Sequence, residues 1–99
     1  MRLAEESKRV IRDTAREIFG PAAEVRLFGS RLDDAARGGD LDLLVVLPEP
    51  LAESPRKSLT FVARLQRRLG DQHIDVLVLD PLTPRQPVHE HAMRQGVTL

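Results

Sequence analysis

The sequence predicts an α/β (α+β) domain in which helices pack against a small mixed β-sheet. Helical and extended segments alternate along the chain, and one extended segment is almost continuously apolar, as in a strand covered on both faces. The chain has 99 residues, of which 41% are hydrophobic and 30% charged, an ordinary composition for a globular domain. We therefore expect residues 1–99 to form a single domain with one core.

Each helix is predicted from apolar side chains at helical spacing and from the glycine that follows them. Gly20, Gly70 and Gly96 each come directly after such a run, where glycine commonly ends a helix. The strands are predicted from short runs rich in valine, leucine and isoleucine that turn residues interrupt. The predicted elements are a helix over 3–19, a strand over 23–28, a loop over 29–39 with a helical turn near 32–37, a strand over 41–47, a helix over 56–69, a strand over 74–79, a helix over 85–95 and an edge strand over 97–99.

The composition argues against several classes of protein. The net charge is zero and the only aromatic residues are three phenylalanines, so we expect no direct binding of nucleic acid. The absence of cysteine excludes disulfides and thiolate chemistry. No apolar run reaches the ~18 residues of a membrane helix, and the first residues lack a signal-peptide core. We expect a cytoplasmic protein that does not bind membranes.

Two aspartates begin the most apolar strand. Asp40 and Asp42 are separated by one residue, so their side chains point to the same face of the strand. Two such carboxylates repel each other unless a cation lies between them. The pair Gly29-Ser30 precedes them by ten residues and offers backbone N–H groups and a hydroxyl to a phosphate. The pattern predicts a site for a metal-bound polyphosphate.

A third carboxylate, Asp75, interrupts the apolar strand over 74–79. An aspartate there is costly unless it is paired, hydrogen-bonded or metal-bound. If the two strands are neighbours, Asp75 joins the first two carboxylates around one or two divalent ions, of which Mg²⁺ suits oxygen ligands best. Simpler alternatives stay open: a turn and a strand cap for Asp40 and Asp42, an arginine ion pair for Asp75, and an ordinary strand-end turn for Gly29-Ser30.

These residues together resemble the nucleotidyltransferase superfamily of DNA polymerase β. The resemblance covers about residues 5–80 and rests on Gly29-Ser30, Asp40-x-Asp42 on an apolar strand, and a lone Asp75 in the next long strand. It is closest to the minimal nucleotidyltransferases (MNT), which consist of little more than the polymerase β-like palm core. The chain differs from many members in a loop shorter by one residue and in Gly39, which stands where they have serine.

The resemblance implies a role for each of these residues. Asp40, Asp42 and Asp75 would be catalytic and would bind two Mg²⁺ ions, and Asp75 would also orient or deprotonate the attacking hydroxyl. The implied reaction transfers a nucleoside monophosphate, expected to be AMP from ATP, to a hydroxyl group. The residues implied to hold the phosphates of the nucleotide are Gly29, Ser30 and Arg31.

Minimal members that this chain resembles are commonly encoded beside a helical HEPN protein, an RNase toxin, and act as its antitoxin. We therefore favour an enzyme that modifies a HEPN-type partner, because a 99-residue core has little room for both nucleotide and acceptor. Two alternatives are a non-catalytic antitoxin that binds the toxin by contact alone and a small-molecule nucleotidyltransferase of the aminoglycoside type. In the favoured case the protein works as a heteromer.

Other conspicuous residues are expected to be structural. His89 and His91 lie about 200° apart on a helix and cannot chelate one ion together. His73 is expected to be structural as well. In the second helix we expect the inward positions Leu59, Val62, Ala63 and Leu69, and a solvated face or a dock for an acidic partner at Arg64, Arg67 and Arg68.

The face that bears the carboxylates also carries apolar side chains further along both strands. These side chains need a cover, which is either the first helix, the last helix or another chain. The residues concerned are Leu44, Val46, Leu77 and Leu79.

Overall fold

The computed structural model describes residues 3–32 and 40–99, the side chain of Ser30 excepted. The described residues form α1 (Glu5–Phe19), β1 (Glu24–Phe28), a single 3-10 turn (Gly29–Leu32), β2 (Leu41–Val46), α2 (Ser54–Leu69), β3 (Ile74–Leu79), α3 (Pro87–Gln95) and β4 (Val97–Thr98). The predicted order and type of helices and strands are confirmed. Most of the helical turn predicted near 32–37 lies outside the described residues.

The four strands form one mixed sheet in the order β3-β2-β1-β4. The strands β2 and β3 are parallel, because α2 carries the chain back across the sheet between them. The strand β1 is antiparallel to both of its neighbours. Consequently β1 ends at the same edge of the sheet at which β2 and β3 begin.

The helices α1 and α2 pack together on one face of the sheet. Ile11 and Ala15 of α1 and Phe61 and Leu65 of α2 are fully buried there. Phe61 also meets Phe19 edge to face, with ring centroids 5.3 Å apart. The strand side chains that complete this core include Val25, Leu27, Leu41, Leu43, Val45 and Ile74.

The predicted inner face of α2 was partly wrong. Leu59 is 73% exposed and Ala63 is exposed, whereas the buried positions are Phe61 and Leu65. Positions 59 and 61 point about 200° apart on a helix, so only one of them can face the sheet, and the larger phenylalanine occupies that face. The two other positions expected to face inward do pack at the margin of the core: Val62 and Leu69.

Two arginines of α2 link it to α1 instead of forming only a solvated face. Arg68 Nη1 donates to Glu17 Oε2 at 2.9 Å, and Arg64 Nη1 lies 3.5 Å from the same oxygen. The hydrogen bond from Arg68 is the main reason that the pKa of the Glu17 carboxyl lies below its ordinary value. Arg68 also donates to the hydroxyl of the buried Thr14 at 2.7 Å, which fixes the two helices side by side.

The helix α3 covers the opposite face of the sheet. Its Ala92 is fully buried against Phe28, Leu44 and Leu79, so the last helix is the cover that the apolar residues on this face require. The first turn of α3 is closed by His89, whose Nδ1 accepts a hydrogen bond from the backbone N–H of Gln86 at 3.1 Å. Arg26 of β1 donates to the carbonyl oxygen of Met93 and attaches the end of α3 to the sheet.

Among the described residues, no helix combines the length and the apolar character needed to cross a membrane.

Candidate active site

Three segments of the chain meet where β2 and β3 begin and β1 ends. Asp42 and Asp75 lie directly opposite each other in the parallel ladder, and Phe28, the last residue of β1, lies opposite Asp42. Gly29 follows Phe28 immediately and Asp40 immediately precedes β2. The expectation that the two aspartate-bearing strands are neighbours is therefore confirmed. The strand topology alone brings together residues that are up to 46 positions apart in the sequence.

A compact group of ligand atoms faces solvent at this edge. His73 Nε2 lies 3.1 Å from Asp75 Oδ1 and 4.0 Å from Asp40 Oδ2. One ligand atom from each of Asp40, His73 and Asp75 lies within 4.8 Å of the other two. The three side chains are 54–66% exposed, so the group is open to ligands from solution.

The compact group of three ligand atoms does not include Asp42, which lies opposite Asp75 and is more buried than the members of the group. Partial burial raises the pKa of its carboxyl, and the negative charges of Asp75 and Asp40 raise it further. The imidazole of His73 acts in the opposite direction. Ionised Asp42 is therefore unfavourable in the folded chain, and a cation placed among these carboxylates would offset the repulsion.

Gly29 brings the backbone directly against the carboxylate of Asp42. Its φ of 79° lies in the left-handed region, which side chains rarely adopt. A Cβ atom at this position would also overlap Asp42 Oδ2. Both the conformation and the space therefore require glycine, and the turn from 29 to 32 starts beside the acidic group.

Arg31 and Ser30 lie in the same turn as Gly29. The Nη2 atom of Arg31 donates to Gln72 Oε1 at 2.9 Å, which holds the guanidinium beside the residues that lead into β3. Ser30 contributes its backbone to the turn, and its side chain lies outside the described residues. The contact with Gln72 places Arg31 near the start of β3, and its predicted contact with phosphate stays a prediction.

His73 belongs to the group of ligand atoms, although sequence reasoning did not place it there. It was expected to be structural, and its Nε2 lies within 4.0 Å of the carboxylates of both Asp40 and Asp75. The signal was present in the sequence, because His73 and Asp75 are two positions apart and a strand points such residues the same way. That spacing is the same one that singled out Asp40 and Asp42.

The opposite end of β2 holds a cavity of about 510 Å³. It lies between the segments 19–23 and 47–52, with Lys57 at its margin. Its lining is largely apolar and includes no cluster of carboxylates. Among the described residues, the candidate site is therefore the group at the start of β2 and β3 and not this cavity.

A family model described as a nucleotidyltransferase domain matches residues 8–95. The chain belongs to the nucleotidyltransferase domain family. This match runs from α1 to the end of α3 and includes the acidic edge of the sheet, which consists of Asp40, Asp42, His73 and Asp75. No curated protein matches the chain at a significant level. Membership confirms the predicted superfamily and, with the four-stranded mixed sheet and three helices of the described residues, the polymerase β-like fold.

Membership in the nucleotidyltransferase domain family also defines the general chemistry. Such domains transfer nucleotides and generally use a nucleoside triphosphate and a divalent metal. The residues of the acidic edge fit this requirement, because carboxylate oxygens are the ligands that hard divalent cations prefer. The single imidazole nitrogen of His73 is a softer donor within the same group.

Proposed function

We propose that this chain is a Mg²⁺-dependent nucleotidyltransferase that transfers AMP from ATP to a hydroxyl group on a protein partner. The observation that carries the proposal is the convergence of three carboxylates with Gly29 at one edge of the sheet. Family membership supports the transfer of nucleotides in general. ATP as the donor, Mg²⁺ as the metal and a protein as the acceptor are proposed in addition to what family membership supports.

In this proposal Asp40, Asp42 and Asp75 hold two Mg²⁺ ions. The proposal is supported by the pKa of Asp42, which the charges of Asp75 and Asp40 help to raise, and by ligand atoms of Asp40 and Asp75 within 4.8 Å of each other, since carboxylates gathered in this way are stabilised by a shared cation. The chemistry that bound Mg²⁺ supplies is a lower pKa of the attacking hydroxyl and neutralisation of the charge that develops on pyrophosphate.

The turn that follows β1 receives the phosphates. The backbone of Gly29, which has no Cβ, allows the close approach that a phosphate oxygen needs. Ser30 adds a hydroxyl and Arg31 a permanent positive charge beside the start of β3. These three residues hold the β- and γ-phosphates, so that the α-phosphorus lies toward the carboxylates.

The transfer itself is an in-line displacement. The acceptor hydroxyl oxygen attacks the α-phosphorus, the bond from phosphorus to the bridging oxygen of the β-phosphate breaks, and pyrophosphate leaves. Asp75 orients the hydroxyl and accepts its proton. Most of the catalysis comes from positioning and from compensation of charge rather than from covalent chemistry of the protein.

The acceptor is proposed to lie on a helical HEPN-type toxin, which the chain inactivates as a cytoplasmic antitoxin. The exposure of the acidic group supports a macromolecular acceptor, since a hydroxyl on the surface of another protein can reach it. The chain has no tyrosine, so it cannot modify itself on that residue. Residues 1–99 serve in this proposal as the minimal catalytic domain of a heteromer.

The test is the mass of the partner. The product of the neighbouring gene is expected to be a HEPN-type protein and, when mixed with this chain, ATP and Mg²⁺, to gain the mass of one adenylyl group. Asp40→Ala should abolish this gain but leave the complex intact, because the exposed Asp40 side chain contributes a charge and little packing. Asp13→Ala, an exposed aspartate on α1, is the matched control and should retain activity.

Two outcomes would contradict the proposal and direct attention to other functions. If the partner is inactivated without gaining mass, and the Asp40→Ala variant inactivates it equally well, the chain is an antitoxin that acts by contact alone. Transfer of AMP to an aminoglycoside without any partner identifies a small-molecule enzyme.

A further inference from the structure

We propose that His73 is a metal ligand, and that it gives the position shared by Asp40 and Asp75 a preference for a divalent transition-metal ion over Mg²⁺. The inference rests on the proposed function, because it assigns a further residue and a class of metal to the same site. It arises from the geometry of the described residues, in which the imidazole lies between two carboxylates.

The spacing of the three donor atoms matches that of a coordination sphere. Metal–ligand bonds of about 2.0–2.2 Å place neighbouring ligands of an octahedron about 3 Å apart and opposite ligands about 4.2 Å apart. His73 Nε2 lies 3.1 Å from Asp75 Oδ1 and 4.0 Å from Asp40 Oδ2. An ion can therefore bind between them with little rearrangement of the side chains.

The backbone holds these residues in register. The N–H of Leu41, the residue after Asp40, donates to the carbonyl oxygen of His73 at 3.0 Å. His73 directly precedes β3 and lies two positions before Asp75, and the 3.1 Å between His73 Nε2 and Asp75 Oδ1 shows that the two side chains point to the same side. Asp75 lies within the β2–β3 ladder, and Asp40 and His73 directly precede its first pair, Leu41 and Ile74, so the start of the ladder keeps the three side chains close together.

The identity of the donors determines the class of metal. Mg²⁺ is bound by oxygen and dehydrates reluctantly, so an imidazole nitrogen adds little to its binding. Divalent transition-metal ions bind imidazole well and accept carboxylates too. A set of one nitrogen and two carboxylate oxygens consequently favours the transition-metal ion. Mn²⁺ is the most stringent probe, because of these ions it is the nearest to Mg²⁺ in its preference for oxygen ligands, so a loss confined to Mn²⁺ reports the imidazole.

A simpler role for His73 makes the opposite prediction. If the ring only forms a hydrogen bond with Asp75, it competes with any metal for that carboxylate. Its removal would then strengthen the binding of Mn²⁺ and Mg²⁺ alike. If His73 is a ligand, its removal weakens the binding of Mn²⁺ selectively.

The experiment compares the wild-type chain, His73→Gln and His91→Gln by electron paramagnetic resonance of Mn²⁺ without nucleotide. His73 is 66% exposed, so its replacement removes little packing, and His91 is an exposed histidine of α3 that serves as the control. We expect the spin echo of Mn²⁺ bound to the wild type and to His91→Gln to show coupling to a ¹⁴N nucleus. His73→Gln should lack this coupling.

Affinities from the same titrations provide the second readout. His73→Gln is expected to weaken Mn²⁺ binding by about tenfold or more, the usual cost of altering a metal shell, and Mg²⁺ binding, measured by competition, by less than about twofold. Nitrogen coupling that persists in His73→Gln, equal losses for both ions, or tighter binding would overturn the inference.

A variant of Asp42 separates failure of this inference from failure of the proposed function. If the wild type binds both ions, Asp42→Asn weakens them and His73→Gln changes neither, the role of His73 is refuted and the carboxylate site stands. If the wild type binds neither Mn²⁺ nor Mg²⁺, both proposals fail.

Discussion

Asp42 lies partly buried beside Asp75 and Asp40, an arrangement that works against folding. Burial and like charges both disfavour the ionised form of such a carboxylate, and perturbations of this kind cluster at functional sites. Gly29 has the same character, since a Cβ at this position would be strained by the positive φ and would displace the Asp42 carboxylate. At the residue scale the site is thus recognised by features that cost stability.

The first prediction concerns the stability of the metal-free chain. The pKa of Asp42 is raised in the folded state, so folding favours its protonated form, and the ionised form present at neutral pH destabilises the fold. Asp42→Asn, which removes the charge and keeps the shape, should raise the melting temperature at pH 7. The difference should shrink as the pH falls through the folded pKa toward the ordinary value of 3.8.

Thermal denaturation in the presence of a chelator, at several pH values, measures this effect. Asp13→Asn provides the control, because it removes a charge from an exposed position on α1. A melting temperature that Asp42→Asn lowers at pH 7 would show that the carboxylate is not repelled by its neighbours.

At the scale of elements, the helices fix the strands that carry the site. The crossover through α2 makes β2 and β3 parallel and thereby brings their first residues together. Arg68 attaches α2 to α1 through Glu17 and the buried hydroxyl of Thr14. The helix α3 covers the other face and leaves the beginning of both strands open.

A second prediction tests the attachment of α2 to α1. Arg68→Ala removes the donor to Thr14, a hydroxyl within the core, which should cost about 0.5–1.5 kcal/mol of stability, the usual worth of one hydrogen bond. Arg67→Ala, at an exposed position of the same helix turn, should cost clearly less. Urea denaturation measures both, and equal effects of the two substitutions would contradict the assigned role of Arg68.

At the scale of the whole molecule, the two ends of the sheet differ in chemistry. One end gathers the carboxylates, His73 and the turn that begins at Gly29. The other end holds the largely apolar cavity beside Pro48 and Lys57. A ligand that binds the acidic end contacts β1, β2 and β3 together, so its binding should stabilise the entire fold.

A third prediction follows for the binding of ATP with Mg²⁺. At ten times its dissociation constant the nucleotide should stabilise the chain by about 1.4 kcal/mol, or roughly 5–10 °C in melting temperature. Asp42→Asn should remove most of this gain. Gly29→Ala should also remove it, because the new Cβ would displace the Asp42 carboxylate.

Gly20→Ala is the matched control for the glycine substitution. Gly20 also has a positive φ, of 109°, but a Cβ there would meet no atom within 4 Å. Both alanine variants should therefore lose stability from backbone strain, of about 1–3 kcal/mol, and only Gly29→Ala should lose the response to the nucleotide. A response that survives in Gly29→Ala and in Asp42→Asn would place the nucleotide elsewhere.

The features predicted correctly are those that local patterns encode. The strand over 74–79 was predicted at its observed bounds, and the strand and helix ends near Phe28, Phe19 and Leu69 coincide with glycines that stop each element. The inner face of α2 was misassigned, because the helix carries apolar residues on more than one of its faces. Only contact with the sheet distinguishes the buried Phe61 from the exposed Leu59. The i, i+2 spacing of His73 and Asp75 was visible in the sequence, but the approach of His73 to Asp40, which directly precedes β2, depends on how the two segments pair.

By itself the sequence determined the order of helices and strands. It also singled out the three aspartates with Gly29 and Ser30 as candidate site residues, and these indicated the nucleotidyltransferase family. These depend on short-range spacing, which periodicity and turn residues encode. Only the tertiary structure decided that His73 lies between Asp40 and Asp75, that Asp42 is partly buried, and that α3 covers the apolar face. Distances between side chains of different strands depend on register and packing, and no pattern along one strand specifies them.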